Sequence, residues 1–186
     1  LGPLVGNENI EAIIYANKLC NELGLDTIST GAVIAFAMEC HEKGYLDDDK
    51  LNLQWGDEET IISLIEKIAQ REGLGDILAE GAYKASHIID SDTEKFAMHV
   101  KGLEIPGQDP RTGKTMGLAH VTSNRGADHL YGLCTIDQTQ NQEVIDRYFP
   151  DSNKDVLDVF SYSDKPRLLN FTENYSAITD ALGICK

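Results

Sequence analysis

Residues 57–75, DEETIISLIEKIAQREGLG, decide the fold class. Ile61, Ile65 and Ile68 recur at helical spacing, Asp57 stands before them as an N-cap, and Glu58 and Glu59 sit at the positive end of the helix dipole. Arg71 suits the last turn, and Gly73-Leu74-Gly75 reads as a tight connection into another helix. That next helix, capped by Asp76, is expected from Ile77 to about His87, interrupted by Gly81. Upstream the same signals repeat. Residues 9–23 place Ile10, Ile13, Ile14 and Leu23 near one helical face, with Asn7 or Asn9 to cap it and Gly24 to stop it. A further helix starts at Ser29 or Thr30, stays apolar all round up to Glu39 as a buried helix does, and closes at Gly44. Residues 7–90 therefore read as four helices without strand signals.

Composition changes near residue 95. Between Phe96 and Lys114 lie Gly102, Pro106, Gly107, Pro110 and Gly113, and the two prolines impose an extended loop. Beyond it, Met116 to Ser123 reads as a short helix, 124–129 as a turn or its continuation, and 140–149 and 166–182 as two more helices. The expected architecture is mainly α, with one multi-helical domain over 1–97 and a second over 98–186.

The chain has 186 residues, 41% of them hydrophobic, enough to bury a core. Its 16 Lys and Arg against 31 Asp and Glu give a net charge of −15, which repels phosphate backbones and anionic lipid. Nucleic acid and membrane are excluded as partners on that ground, and the longest apolar run, Gly31 to Met38, is far short of the ~20 residues of a span. Cys20, Cys40, Cys134 and Cys185 lie singly, with no pair close enough for a metal or redox motif, and suit reduced thiols in the cytoplasm. The opening on Leu1 and the stop at Lys186 lead to the expectation of a piece of a longer protein.

One motif occurs twice. Asn21-Glu22-Leu23-Gly24-Leu25-Asp26 and Asp180-Ala181-Leu182-Gly183-Ile184-Cys185 each close a predicted helix. A glycine stop with an apolar residue beyond it accounts for Leu-Gly-Leu and Leu-Gly-Ile, but not for the Asn or Asp three residues before each glycine. Helix-end carbonyls together with such a side chain would accept hydrogen bonds from an N–H-rich edge, such as the amino-pyrimidine edge of a pterin. Two such sites imply a ligand with two similar ends. Among the histidines, His129 follows Arg125-Gly126 on a turn and has a side chain suited to proton transfer, although its spacing offers it no partner. His41, His87, His99 and His120 receive no role, and Asp47-Asp48-Asp49 reads as a solvated loop.

The segments NKLCNELGLDTISTGAVIAFAMECHEKG, LQWGDEETIISLIEKIAQREGLGDILAEG, KGLEIPGQDPRTGKTMGLAHVTSNRGADHL and DALGICK resemble, in order, the second and third domains of tungsten-containing aldehyde ferredoxin oxidoreductases. The resemblance runs from Leu1 to about Leu130 and returns at the last seven residues; 131–165 adds little. It implies oxidation of an aldehyde to a carboxylic acid at a tungsten, or molybdenum, held by two pterins. Electrons would pass through a [4Fe–4S] cluster to ferredoxin. By position, Asn21, Leu25 and Asp26 would contact one pterin, and Asp180, Ile184, Cys185 and Lys186 the other. Cys185 would also be the fourth cluster ligand and couple the two centres. His129 would stand beside the metal as proton donor or substrate orienter. Family members include homodimers.

Two departures accompany the resemblance. The family's first motif begins with Asp where this chain has Asn21, an amide in place of a charged bidentate acceptor. The family's first domain and its C-x-x-C-x-x-x-C segment would lie before Leu1, and a cluster needs four thiolates. The 186 residues alone are therefore expected to hold neither cofactor and to be inactive, with the missing N-terminal domain as their first partner. Lys101, Arg111 and Lys114 are candidates for a ferredoxin-facing patch on an otherwise acidic chain. The alternative is a non-catalytic helical interaction module on the same scaffold, which the loss of Asp at position 21 favours and the thiol of Cys185 opposes.

Overall fold

The computed structural model describes residues 1–46 and 52–184, so the Asp47–Asp49 run, Cys185 and Lys186 lie outside the described residues. The protein is mainly α, as its periodicity requires, and divides into two units, 1–107 and 108–186.

In the first unit α1 (Ile10–Leu23), α2 (Thr27–Glu42), α3 (Glu58–Gln70), α4 (Leu74–Leu78) and α5 (Ala82–Ile89) follow in order, with short 3-10 turns at Pro3–Val5 and Ser91–Phe96. Helix α2 is the axis of the unit. Val33, Ile34, Phe36, Ala37, Met38 and Cys40 are buried around its whole circumference, so α1, α3, α4, α5 and both 3-10 turns pack on it. The start of α2 differs from expectation. Asp26 accepts the backbone N–H of Ser29 at 2.7 Å, and this N-cap moves the first helical residue back to Thr27. Helices α1 and α2 meet at 116°; no single helix among the described residues is long and apolar enough to cross a membrane.

Two further differences have local causes. The helix expected from Ile77 to His87 is two helices, because Gly81 takes φ +84°, and Asp76 lies inside α4 instead of capping it. Gly75 brings α4 against the backbone of α3: a Cβ there would fall on the Lys67 carbonyl. Arg71 ends α3 in the left-handed conformation and ties its guanidinium to Asp76 and Glu80 at 2.9 and 2.8 Å. The segment 96–114 is not wholly extended loop. It holds a hairpin of β1 (His99–Val100) and β2 (Leu103–Glu104), turned by Lys101 and Gly102, both at positive φ as a type I′ turn needs. Buried Glu104 reaches back from β2 and accepts the Ala82 N–H at 2.7 Å, capping α5 from outside its own sequence. That bond joins the hairpin to the first unit, so the division falls after Gly107 where the sequence suggested 97/98.

In the second unit α6 (Lys114–Thr122) packs on α8 (Lys165–Ala181) through Met116, Ala119 and Leu169, and α7 (Gln142–Tyr148) packs on α8 through Ile145 with Leu168 and Tyr148 with Phe171. The long connections are held by a buried ion pair. Lys165 Nζ donates to Asp137 Oδ2 at 3.0 Å and to the Val156 carbonyl at 2.8 Å, and the Thr115 hydroxyl donates to the same Asp137 oxygen at 2.5 Å. Asp137 Oδ1 is buried without a partner.

Removing one member of a buried pair leaves the other uncompensated, at a cost of about 3–5 kcal/mol, whereas replacing both by apolar residues restores most of the loss. Lys165→Met is therefore expected to lower the urea unfolding midpoint strongly, and K165M/D137L to recover most of it. Equal midpoints for the single and double variants would contradict this account. Glu104→Ala, which orphans the N-terminus of α5, is expected to cost about 1–3 kcal/mol in the same measurement.

Candidate functional site: two matched helix stops

The repeated motif has the same backbone in both places. At the end of α1, Gly24 (φ +72°) donates its N–H to the Asn21 carbonyl at 3.3 Å, and Leu25 donates to the Cys20 carbonyl at 2.8 Å. At the end of α8, Gly183 (φ +68°) donates to the Asp180 carbonyl at 3.1 Å and Ile184 to the Thr179 carbonyl at 2.9 Å. This is the Schellman pairing, and it uses two of the carbonyls that a helix end would otherwise offer.

The pairing alone does not mark a site. Helix α2 ends the same way through Gly44 and Tyr45, and α3 through Arg71 and Glu72. The two motif stops differ from those in their side chains. Each carries an acceptor three residues before its glycine, Asn21 or Asp180, and each exposes the leucine just before it, Leu23 at 40% and Leu182 at 68%. A Cβ placed on Gly24 or on Gly183 would meet nothing within 4 Å. Each stop is thus an open surface with an apolar step and a hydrogen-bond acceptor, which suits a flat heterocycle that donates N–H groups. The leucines were not among the residues singled out from the sequence, though their repeated place before the glycine was the signal.

The motif residues have distinct local roles. Leu25 is half-buried and packs on the core of the first unit, and Ile184 is exposed. The Asn21 amide donates to the Asn17 carbonyl at 2.8 Å, and the Asp26 carboxylate serves as the α2 cap. His129 is half-buried in the turn after α6. Beside it Asp128, nearly buried, accepts Arg125 at 2.9 Å and the Leu130 N–H at 2.9 Å, which fixes the turn. His120, given no role from the sequence, is buried with Nε2 against the Gln108 carbonyl at 3.2 Å and Nδ1 without a partner. Of the candidate ferredoxin-facing cations, Lys101 lies in the first unit and Arg111 and Lys114 in the second; Arg111 is paired with Asp109 at 2.6 Å.

Among the described residues no three His, Cys, Asp or Glu side chains are grouped to hold a metal ion, and Cys20, Cys40 and Cys134 are buried free thiols. Burial pushes Cys40 up to about 11, against the tempering hydroxyl of Thr93, and burial with the nearby Asp137 charge pushes Cys134 up to about 11.

The chain as a whole has counterparts among known proteins. Residues 1–186 match the family described as aldehyde ferredoxin oxidoreductase, domains 2 and 3. The chain belongs to the aldehyde ferredoxin oxidoreductase family. It is 39% identical to the tungsten-containing aldehyde ferredoxin oxidoreductase of Thermococcus kodakarensis and 38% identical to that of Pyrococcus furiosus, with all of this chain covered in both. It spans 29% of the length of each of these relatives. The WOR-like subunit of an aliphatic sulfonate oxidoreductase from Pyrococcus furiosus is 38% identical over 80% of the chain and 25% of that protein. Among solved structures, the active-site complex BamBC of benzoyl coenzyme A reductase, with 1,5-dienoyl-CoA, is similar at a TM-score of 0.66 and 25% identity. That likeness covers 93% of this chain and 30% of the other.

The buried thiols give a pH test. A thiol raised on folding stays protonated where the unfolded chain, near its ordinary value of 9, begins to ionise, so the unfolded state binds fewer protons. The contribution is complete below pH 9 and is expected to be lost as pH rises towards 11. A thiol-specific disulfide reagent at pH 8 should leave Cys40 and Cys134 unmodified until denaturant is added; prompt labelling of either in the native protein would contradict its burial.

Proposed function

We propose that this chain is the two-stop part of a tungsten aldehyde oxidoreductase, converting an aldehyde and water into a carboxylic acid, two protons and two electrons. The observation that carries the reading is the pair of open helix stops, one in each unit, with matching acceptors at Asn21 and Asp180. Tungsten named in relatives that cover the whole chain supports it. The metal, held by two pterins, would supply the two-electron redox chemistry. Asn21, Leu25 and Asp26 would receive one pterin, and Asp180, Ile184, Cys185 and Lys186 the other. The exposed leucines would shield the ring faces from water, and the acceptor side chains would orient the N–H edges.

His129, held beside the anchored Asp128, would take or give the proton at the reacting carbon centre. Cys185 would be the ligand this chain gives to a [4Fe–4S] cluster, which would pass single electrons to ferredoxin in the cytoplasm. Because a cluster takes four thiolates and the described cysteines are buried, the 186 residues alone would hold no cluster and show no activity.

The test uses the full-length protein containing this segment, purified without oxygen. Tungsten and pterin per chain are expected to be stoichiometric, with aldehyde-dependent reduction of a one-electron dye and carboxylate as product. His129→Asn should lower kcat by about 10²–10⁴-fold with tungsten content unchanged. A tungsten-loaded protein that leaves aldehydes untouched and acts on an alkanesulfonate would overturn the substrate, and one that binds no tungsten would overturn the reading.

A further inference from the structure

We infer that Asp128 is a positioning residue for His129: its side chain closes a ring around the histidine's backbone and so sets the direction in which the imidazole leaves the chain. The inference rests on the reading of His129 as the proton-transfer group of the proposed reaction.

The turn is tied down on both sides of the histidine. On the α6 side Arg125 donates its N–H to the Ser123 hydroxyl at 3.3 Å, Gly126 takes φ +101°, and the Asp128 N–H reaches the Gly126 carbonyl at 2.6 Å. On the far side Gly132 lies so close to α8 that a Cβ there would stand 2.6 Å from the Leu169 side chain. Between them Asp128 Oδ1 accepts the Leu130 N–H at 2.9 Å. That bond skips one residue, and the residue it skips is His129. The ring it closes runs through ψ of Asp128 and both φ and ψ of His129, so the Cα–Cβ bond of the histidine is held in one direction. Asp128 is only 8% exposed, which limits competition from water for this bond.

The other carboxylate oxygen, Oδ2, pairs with Arg125 at 2.9 Å. The Arg125 side chain is 72% exposed, and an ion pair with one partner in water is worth little. The turn therefore owes more to the oxygen that Asp128 gives Leu130 than to the charge it shares with Arg125. Asparagine can give the same oxygen. Glutamate keeps the charge, but its extra methylene enlarges the ring and breaks the match to the turn.

Two readouts in the full-length, tungsten-loaded protein separate positioning from folding. One is kcat and KM for aldehyde oxidation; the other is the rate at which diethyl pyrocarbonate modifies His129, followed by peptide mass spectrometry with His87 as internal reference. Asp128→Ala and Asp128→Glu are expected to lower kcat about ten- to hundredfold with KM within about twofold, and to speed His129 modification about three- to tenfold. Asp128→Asn should stay within about threefold of the unsubstituted protein on both readouts. The Asn and Glu variants, with tungsten content as the loading control, keep the comparison decisive if D128A does not fold. In an H129N background D128E should cause no further loss of kcat, because the group it directs is gone. A D128N protein as impaired as D128E, or a D128E loss of kcat that is as large without His129 as with it, overturns the inference. Undiminished kcat in H129N overturns the reading of His129 instead, and the modification rates then still decide whether Asp128 directs the imidazole.

Discussion

A helix that stops leaves its last carbonyl oxygens without intrahelical partners, and the way those oxygens are satisfied governs this protein. Reversal into the left-handed conformation at Gly24 and Gly183 returns two N–H groups to the final turn. At the first stop this reversal feeds directly into the Asp26 cap and the buried helix α2, so the corner that presents Asn21 is also the corner on which the first core is built. Candidate site and scaffold share the same few residues there. At the second stop the turn comes at the end of α8, whose place is set by Lys165 and its buried partners.

Much of this was legible in the sequence, because helix boundaries are written in local chemistry. Asp57, Gly24 and the apolar run of α2 identify a cap, a stop and a buried helix with no knowledge of the rest of the chain. The features that were not legible depend on distant residues. Glu104 caps α5 across 22 positions, and Asp137 meets Lys165 across 28. Nothing in the periodicity of either partner announces the other.

The apolar face of α1 shows a different limit. Ile10 and Ile14 share a face as their spacing implies, yet that face is turned outward, at 64% and 63% exposure. The core side of α1 is made by small residues, Ala16 and Cys20, which admit close approach of the neighbouring helices. Hydrophobic spacing identifies a face; it does not say which way the face points. Likewise, the echo at Asn21 and Asp180 was visible, but the Schellman pairing at Gly44 and Arg71 shows that backbone form alone does not single out a site.

The ion pair at Lys165 also bears on the order in which the chain is assembled. The Asn21 stop closes through bonds between residues three to five positions apart. The helix carrying Asp180 is anchored only after Thr115, Asp137, Val156 and Lys165 have been gathered across spans of up to 28 residues. Local contacts form fast and long loops close slowly. During synthesis or refolding each stop can therefore close with its own helix, whereas the helix carrying Asp180 takes its final place only when those distant partners meet.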